Sequence, residues 1–290
     1  MKTAGNRSIH EEVRERRSRI ADMKKKTEMT VLDSRMLAPE IWSMELAYTP
    51  EDAPDDVKPG QFCGLYPQGG DMLLMRPISI CGWDPARRAL RFVYRVAGRG
   101  TRSFTTLRQG DRLQMLGILG NGYDMDLLAG RHVLLLGGGI GIPPMLGLAQ
   151  ALRSAAERGA DTKVTAVLGY RDRALFLKEE MEACADAVCV ATEDGSIGTK
   201  GNVLDAVREQ GIRADVICAC GPLPMLRAVK QYADLEKIPA FLSLEERMAC
   251  GVGVCLGCVA KTTKKDEHSQ VNNARVCVEG PVFAAEDVEL

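Results

Sequence analysis

The 290 residues exceed one ordinary hydrophobic core and suit two or three modules. Hydrophobic residues at 46% and charged residues at 27% are the balance of a globular protein, and a net charge of −1 gives no reason to propose a nucleic-acid partner. No apolar run reaches the roughly eighteen residues of a membrane span, and the charged N-terminus lacks the apolar stretch of a secretory signal, so a cytoplasmic chain without membrane contact is expected.

Residues 1–26 read as a charged, solvated extension, because Ile9, Val13, Ile20 and Met23 are too sparse for an amphipathic stripe. Residues 27–128 change to short strand-like runs: Met29–Leu32, Ile41–Leu46, Gln61–Tyr66, Ile78–Cys81, Leu90–Val96 and Arg112–Leu116. Turn pairs such as Pro59-Gly60, Gly69-Gly70 and Gln109-Gly110 separate them, and Arg102–Leu107 reads as one short helix with Thr101 as its N-cap. This spacing predicts a small antiparallel β-barrel.

From residue 129 to 242 strands alternate with helices, as in a parallel α/β sheet. The wholly apolar run Val133–Leu136 suits a strand buried on both faces. A helix at 143–158 follows, then strand Val164–Gly169, helix Leu175–Ala185, strand Val188–Thr192, helix Asn202–Glu209, strand Val216–Ala219 and helix Pro224–Tyr232. Residues 243–290 are rich in Cys and Gly, with little periodicity, and are too short to be stable easily without a metal or cofactor.

Ten cysteines are many for a reducing compartment, where disulfides are not the default. Cys63, Cys81, Cys184, Cys189, Cys218 and Cys220 are scattered, but Cys250, Cys255, Cys258 and Cys277 fall in the last forty-one residues. The order Cys250-x4-Cys255-x2-Cys258, with Cys277 following, matches plant-type [2Fe–2S] sites. Gly251, Gly253 and Gly257 leave room for backbone N–H groups to approach sulfur. A structural zinc site or four unrelated buried cysteines are the alternatives, but zinc sites more often show two paired knuckles. Cys277 is expected on a strand-like run, Ala274–Val278.

Three further motifs point to anionic ligands. Gly137-Gly138-Gly139-Ile140-Gly141 turns from a buried strand into a helix that opens with Pro143 and Pro144, an arrangement that brings N–H groups and a helix dipole to a phosphate. It departs from G-x-G-x-x-G, so a tight turn without ligand stays open. Arg76-Pro77-Ile78-Ser79 offers a bidentate guanidinium and a nearby hydroxyl, and Gly98-Arg99-Gly100-Thr101 opens the short helix. Cys220-Gly221-Pro222 stands at the carboxyl end of a strand, where open α/β sheets bind ligands. No histidine pairs with Cys220, and His10, His132 and His268 have no metal-ligand spacing. The chemistry therefore reads as residing in cofactors.

In this order the motifs resemble the ferredoxin-reductase superfamily. The segment from Glu245 through Cys250, Cys255 and Cys258 is similar to electron-transfer subunits of B-type dihydroorotate dehydrogenases. That resemblance covers about residues 27–288. It implies an α+β multidomain fold: an FAD-binding antiparallel β-barrel, a parallel α/β nicotinamide-binding domain and a small C-terminal [2Fe–2S] domain. Carried over, Arg76 contacts the FAD pyrophosphate and Ser79 the flavin ring, with Pro77, Ile78, Tyr94, Val96, Gly100 and Thr101 lining the site. Gly137, Gly138, Gly139 and Gly141, with Cys220, Gly221 and Pro222, face NAD, and the four cysteines hold the cluster. Many superfamily members have tyrosine where Ile78 stands, so ring stacking is a point of departure.

The resemblance also implies an FMN-containing, dihydroorotate-oxidising partner in a heterotetramer, with electrons passing through [2Fe–2S] and FAD to NAD⁺ in pyrimidine biosynthesis. The chain has no spare length for the (β/α)₈ barrel of such a partner, which needs roughly 200 residues or more. A subunit of another flavin/iron–sulfur reductase (transhydrogenase, sulfite reductase or hydrogenase type) is the nearest alternative, and a non-catalytic metal-stabilised redox sensor the alternative of another class. Arg171 and Arg173 flank Asp172, which leaves NAD against NADP open from the residues alone.

Overall fold

The computed structural model describes residues 25–157, 159–265 and 270–290. The charged arm before residue 25, His10, His268 and the last residue of the predicted helix 143–158 lie outside the described residues. Six strands come first: β1 (Lys26–Ala38), β2 (Ile41–Ala47), β3 (Phe62–Leu65), β4 (Arg76–Asp84), β5 (Ala89–Arg95) and β6 (Arg112–Leu119). They close an antiparallel barrel in the order β1-β2-β5-β4-β3-β6. Alternation drives the closure. On β5, Leu90, Phe92 and Tyr94 point inward with Met44 and Leu46 of β2, all at most 1% exposed.

The opposite face of the same strands is also apolar. Ala38, Ile41, Cys81 and Val93 pack outward into a cluster shared with the second module. That module contains β7 (His132–Gly138), α2 (Ile142–Glu157), β8 (Lys163–Tyr170), α3 (Lys178–Glu182), β9 (Ala187–Thr192), β10 (Thr199–Lys200), α4 (Val203–Glu209), β11 (Val216–Cys220), α5 (Leu223–Glu236) and β12 (Ala240–Ser243). Here α1 denotes the barrel's one helix, Arg99–Phe104. The sheet runs β10-β9-β8-β7-β11-β12 in parallel. The C-terminal strand β15 (Val282–Ala284) then adds antiparallel to β12. A β13–β14 hairpin (Val259–Lys261 and Asn273–Arg275) lies between them in sequence. Among the described residues no helix is long and apolar enough to cross a membrane.

Four local expectations are corrected. The short barrel helix starts at Arg99 with Gly98 as N-cap, so Thr101 stands inside its first turn. There its hydroxyl accepts from the Ala97 and Gly98 amides, at 2.9 and 3.3 Å. The helix expected over Leu175–Ala185 is confined to Lys178–Glu182. Leu177 adopts φ +61, and the Tyr170 hydroxyl holds the Phe176 carbonyl at 2.7 Å, so the chain before it cannot be helical. Strand β12 escaped the sequence reading, because four residues between a helix and a cysteine-rich segment show too little periodicity. Cys277 is not on a strand, since β14 stops at Arg275 and a turn carries it.

A clamp joins the two modules. On β5, Arg91 donates to both carboxylate oxygens of Glu180 on α3, one contact at 2.9 Å, and its Nε donates to Ser43 Oγ at 3.1 Å. The Arg91 hydrogen bond lowers the Glu180 carboxyl below its ordinary value of 4.5, against an opposing effect of burial. Glu180→Ala is expected to cost about 1–3 kcal/mol in urea unfolding, because Arg91 is only 16% exposed and loses its acceptor. A lowered folded pKa contributes stability above 4.5 that is lost as the pH falls through the folded value. The difference between wild type and variant should therefore shrink in acid.

Candidate functional site

Three groups of predicted residues come together at three places. The first is the start of β4. Arg76 is its first residue, and its Nη1 donates to the Leu74 carbonyl at 2.7 Å. A Cβ built on Gly100 would lie 2.3 Å from the Arg76 Nε, so only glycine lets the guanidinium lie against the start of α1. The Arg76-Pro77-Ile78-Ser79 and Gly98–Thr101 motifs thus form one wall, although they are more than twenty residues apart. Pro77 and Ser79 stand at alternate positions opposite Gly64 and Phe62 of β3. Ile78 packs instead against the barrel core, and Tyr94 and Val96 lie within it. The Tyr94 hydroxyl is buried without a hydrogen-bond partner, and its ring makes a T-shaped contact with that of Phe104. The Arg76 guanidinium, lying in the space a Gly100 Cβ would fill, forms a cradle that fits a phosphate-bearing flavin cofactor.

The second place is the topological switch point of the α/β sheet. Strands β8 and β11 flank β7, and Cys220 pairs with Gly137. In such sheets the carboxyl ends beside the reversal form the ligand crevice. The glycines are required here by close approach. A Cβ on Gly141 would lie 2.1 Å from the Cys220 carbonyl oxygen, and one on Gly138 would lie 2.4 Å from Met225 Sδ. Gly139 takes φ +53 and faces the Arg95 guanidinium, 3.1 Å from where its Cβ would be. Cys220 itself is fully buried, and burial pushes its thiol well above the ordinary value, so it stays neutral and is no nucleophile.

Two residues here were missed in the sequence. Arg95 ends β5 beside Gly139, and Glu245 follows β12. The protein packed around Glu245 raises its carboxyl above the ordinary value, and Arg95 partly opposes the rise. Its position just past the carboxyl end of a parallel strand was the available signal, but that strand had not been recognised.

The third place is the cysteine segment. Cys250 Sγ accepts from the amides of Val252 and Val254 at 3.4 Å and of Cys255 at 3.5 Å, and Cys255 Sγ accepts from Gly257 at 3.4 Å. Left-handed backbone at Gly251, Gly253 and Leu256 turns these amides inward. Burial opposes ionisation of Cys250, but the amides of Cys255, Val252 and Val254, together with the Cys255 thiol, bring it down to about 6. Cys258 and Cys277 form a second, buried pair, joined by the Val276 amide donating to the Cys258 carbonyl at 2.9 Å. Burial and the neighbouring Cys258 push the Cys277 thiol up to about 12.

Among the described residues no three candidate ligands converge as around a single ion. The thiols are held as two pairs, and amide donors aimed at sulfur suit a binuclear iron–sulfur cluster better than one zinc ion. A cleft of about 1210 Å³ also runs between the barrel and α2, past Trp83, Gln150 and Ser154. Of the site residues expected from the sequence only Cys277 lines it.

Residues 245–289 match the model of the iron–sulfur cluster binding domain of dihydroorotate dehydrogenase B, and residues 135–231 match that of the oxidoreductase NAD-binding domain. A dihydroorotate dehydrogenase B (NAD(+)) electron transfer subunit from Listeria monocytogenes serotype 4a is 43% identical over 269 residues, covering 91% of this chain and 99% of that protein. The Geobacillus thermodenitrificans subunit of the same name is 40% identical over 264 residues, covering 90% and 98%. Among solved structures, an NADH-dependent reduced ferredoxin-NADP oxidoreductase described for flavin-based electron bifurcation superposes with a TM-score of 0.77. It is 26% identical, and the match covers 90% of this chain and 89% of that one. The cysteine pairs, the switch-point glycines and the arginine cradle thus stand in a chain that belongs to the family of dihydroorotate dehydrogenase B (NAD(+)) electron transfer subunits.

Proposed function

We propose that this chain is the electron-transfer half of dihydroorotate dehydrogenase B, linking a catalytic partner subunit to NAD⁺ in pyrimidine biosynthesis. The observation that carries the reading is the two cysteine pairs, the first ringed by amide donors and the second buried, in a segment that packs against both the barrel and the α/β sheet. When bound, FAD supplies exchange between one- and two-electron chemistry, the [2Fe–2S] cluster single-electron transfer, and NAD hydride acceptance.

The chain's own residues do the holding. Arg76 would hold the FAD pyrophosphate, with Gly100 leaving it room. Ser79 and the backbone of Pro77 and Ile78 would orient the flavin, with Thr101 fixing the turn beside it and Tyr94 and Val96 supporting it from the barrel core. Gly137, Gly138, Gly139 and Gly141 would admit the NAD phosphates to the start of α2, with Cys220, Gly221 and Pro222 beside them. Cys250, Cys255, Cys258 and Cys277 would hold the cluster. The module divisions at residues 26/27, 128/129 and 242/243 belong to this reading.

The partner is proposed to be an FMN-containing, dihydroorotate-oxidising subunit in a cytoplasmic heterotetramer. Val254 and Leu256 support a docking face at the cluster, since they flank the exposed Cys255 and are 80% and 63% exposed. Leu256→Glu is expected to weaken co-elution with the partner tenfold or more, about 1.4 kcal/mol, with iron content unchanged. Unchanged affinity would move the docking face elsewhere.

The whole reading is tested by anaerobic visible spectra before and after NADH, with iron and flavin analysis. Stoichiometric flavin and two irons per chain, both bleached by NADH, are expected. Zinc without iron, or flavin unresponsive to NADH, would overturn it. Dihydroorotate-dependent NAD⁺ reduction is expected only with the partner present.

A further inference from the structure

Met75 immediately precedes Arg76 and is 2% exposed. Its neighbours on the chain belong to the barrel, but its side chain does not enter the barrel core. It packs in the same apolar cluster as Leu119, Cys258, Val276 and Cys277. Two glycines make room for it. A Cβ on Gly64 of β3 would lie 1.8 Å from Met75 Sδ. A Cβ on Gly251, in the cysteine loop, would lie 2.3 Å from Met75 Cε and 3.1 Å from Leu119 Cδ1. Gly251 adjoins Cys250, and the Met75 carbonyl accepts from the Arg76 guanidinium at 3.4 Å. One side chain therefore spans from the residue next to a cluster cysteine to the residue next to the flavin-cradle arginine. An unbranched thioether suits such a gap, because it fills irregular space between two backbones that approach closely.

We infer that Met75 is a positioning residue for electron transfer, seating the cysteine loop on the flavin barrel and so fixing the approach of cluster to flavin. The inference rests on the cofactor assignments proposed above. Its consequence is selective. Shortening Met75 leaves the switch-point crevice and the cysteine ligands intact, so NADH reduction of flavin and cluster content should be spared, while onward transfer should not.

The test uses the full chain in complex with its catalytic partner. Wild type, Met75→Ala and Met75→Leu are mixed anaerobically with NADH, and flavin and cluster bleaching are followed separately by stopped flow. Hydrogen exchange of the amides from Gly251 to Val254 is measured in parallel. Met75→Ala should bleach its flavin at the wild-type rate, lose the fast phase of cluster bleaching and exchange faster in the loop. The volume-conserving Met75→Leu should recover most of that phase. Unchanged cluster bleaching in Met75→Ala, with both cofactors present, would overturn the inference alone. A wild-type complex whose iron does not respond to NADH would overturn the cofactor assignments and this inference with them. Should Met75→Ala lose flavin, the decision passes to the milder truncation Met75→Val: a slower cluster phase with faster loop exchange supports the seating role, and wild-type values of both overturn it.

Discussion

Cys255→Ser is expected to abolish cluster-dependent electron transfer while leaving FAD content and NADH reduction of the flavin close to wild type. The selectivity follows from where each cysteine sits. Cys255 is exposed at the loop tip, whereas Cys258 and Cys277 are 3% and 1% exposed within an apolar cluster that includes Val276 and Phe283. Serine at Cys255 removes a soft thiolate donor at little cost to packing. Serine at Cys258 would also bury a hydroxyl, at about 1–3 kcal/mol if it finds no partner, and would confound ligand loss with unfolding. The barrel has its own core of Met44, Leu46, Phe92 and Phe104, separate from the cysteine segment, so flavin retention should not depend on the cluster. Iron analysis, the visible spectrum and NADH stopped flow read these outcomes separately. Equal loss of flavin and iron would show that the modules do not stand independently.

Much of this layout was legible because its signals are local. The apolar run Val133–Leu136 and the glycines after it announce a buried strand feeding a helix, and β7 and α2 follow there. The four cysteines are legible for the same reason, since three lie within nine residues. What could not be read depends on the folded chain. Gly100 shows no reason to be glycine until Arg76 lies across it. Arg95 and Glu245 are ordinary charged residues in sequence, 150 apart, and become neighbours only through barrel and sheet. The resemblance places Ile78, Tyr94 and Val96 at the flavin site, and what only the folded chain shows is that they also pack in or against the barrel core. Residues 282–284 were read as part of a separate terminal segment, yet they complete the edge of the α/β sheet. Strand pairing of that kind is chosen by tertiary contact rather than by periodicity.

The glycine turn offers a sharper discrimination, because its members fail for different reasons. Gly141→Ala is expected to be the most damaging substitution in the nicotinamide crevice. The added Cβ would meet the Cys220 carbonyl oxygen at 2.1 Å, its carbon at 2.3 Å and the Gly221 nitrogen at 2.6 Å. All three are backbone atoms at or just past the end of a central parallel strand, so relief requires the Gly139–Gly141 turn to lift off the end of β11. A cost of about 3 kcal/mol or more is expected, with the NADH KM raised steeply and FAD binding in the barrel spared. Gly138→Ala is the control. Its Cβ would meet Met225 Sδ at 2.4 Å, the far end of a flexible side chain, and then Pro222 Cδ at 3.1 Å. Met225 can swing aside, so about 1 kcal/mol and a modest rise in KM are expected. Urea unfolding and NADH titration of both variants distinguish two roles for the turn. If the two lose equal affinity, the glycines serve phosphate access along the whole turn. If Gly141→Ala alone is crippled, the contact with Cys220 governs, and the crevice owes its shape to the seating of the turn on the end of β11.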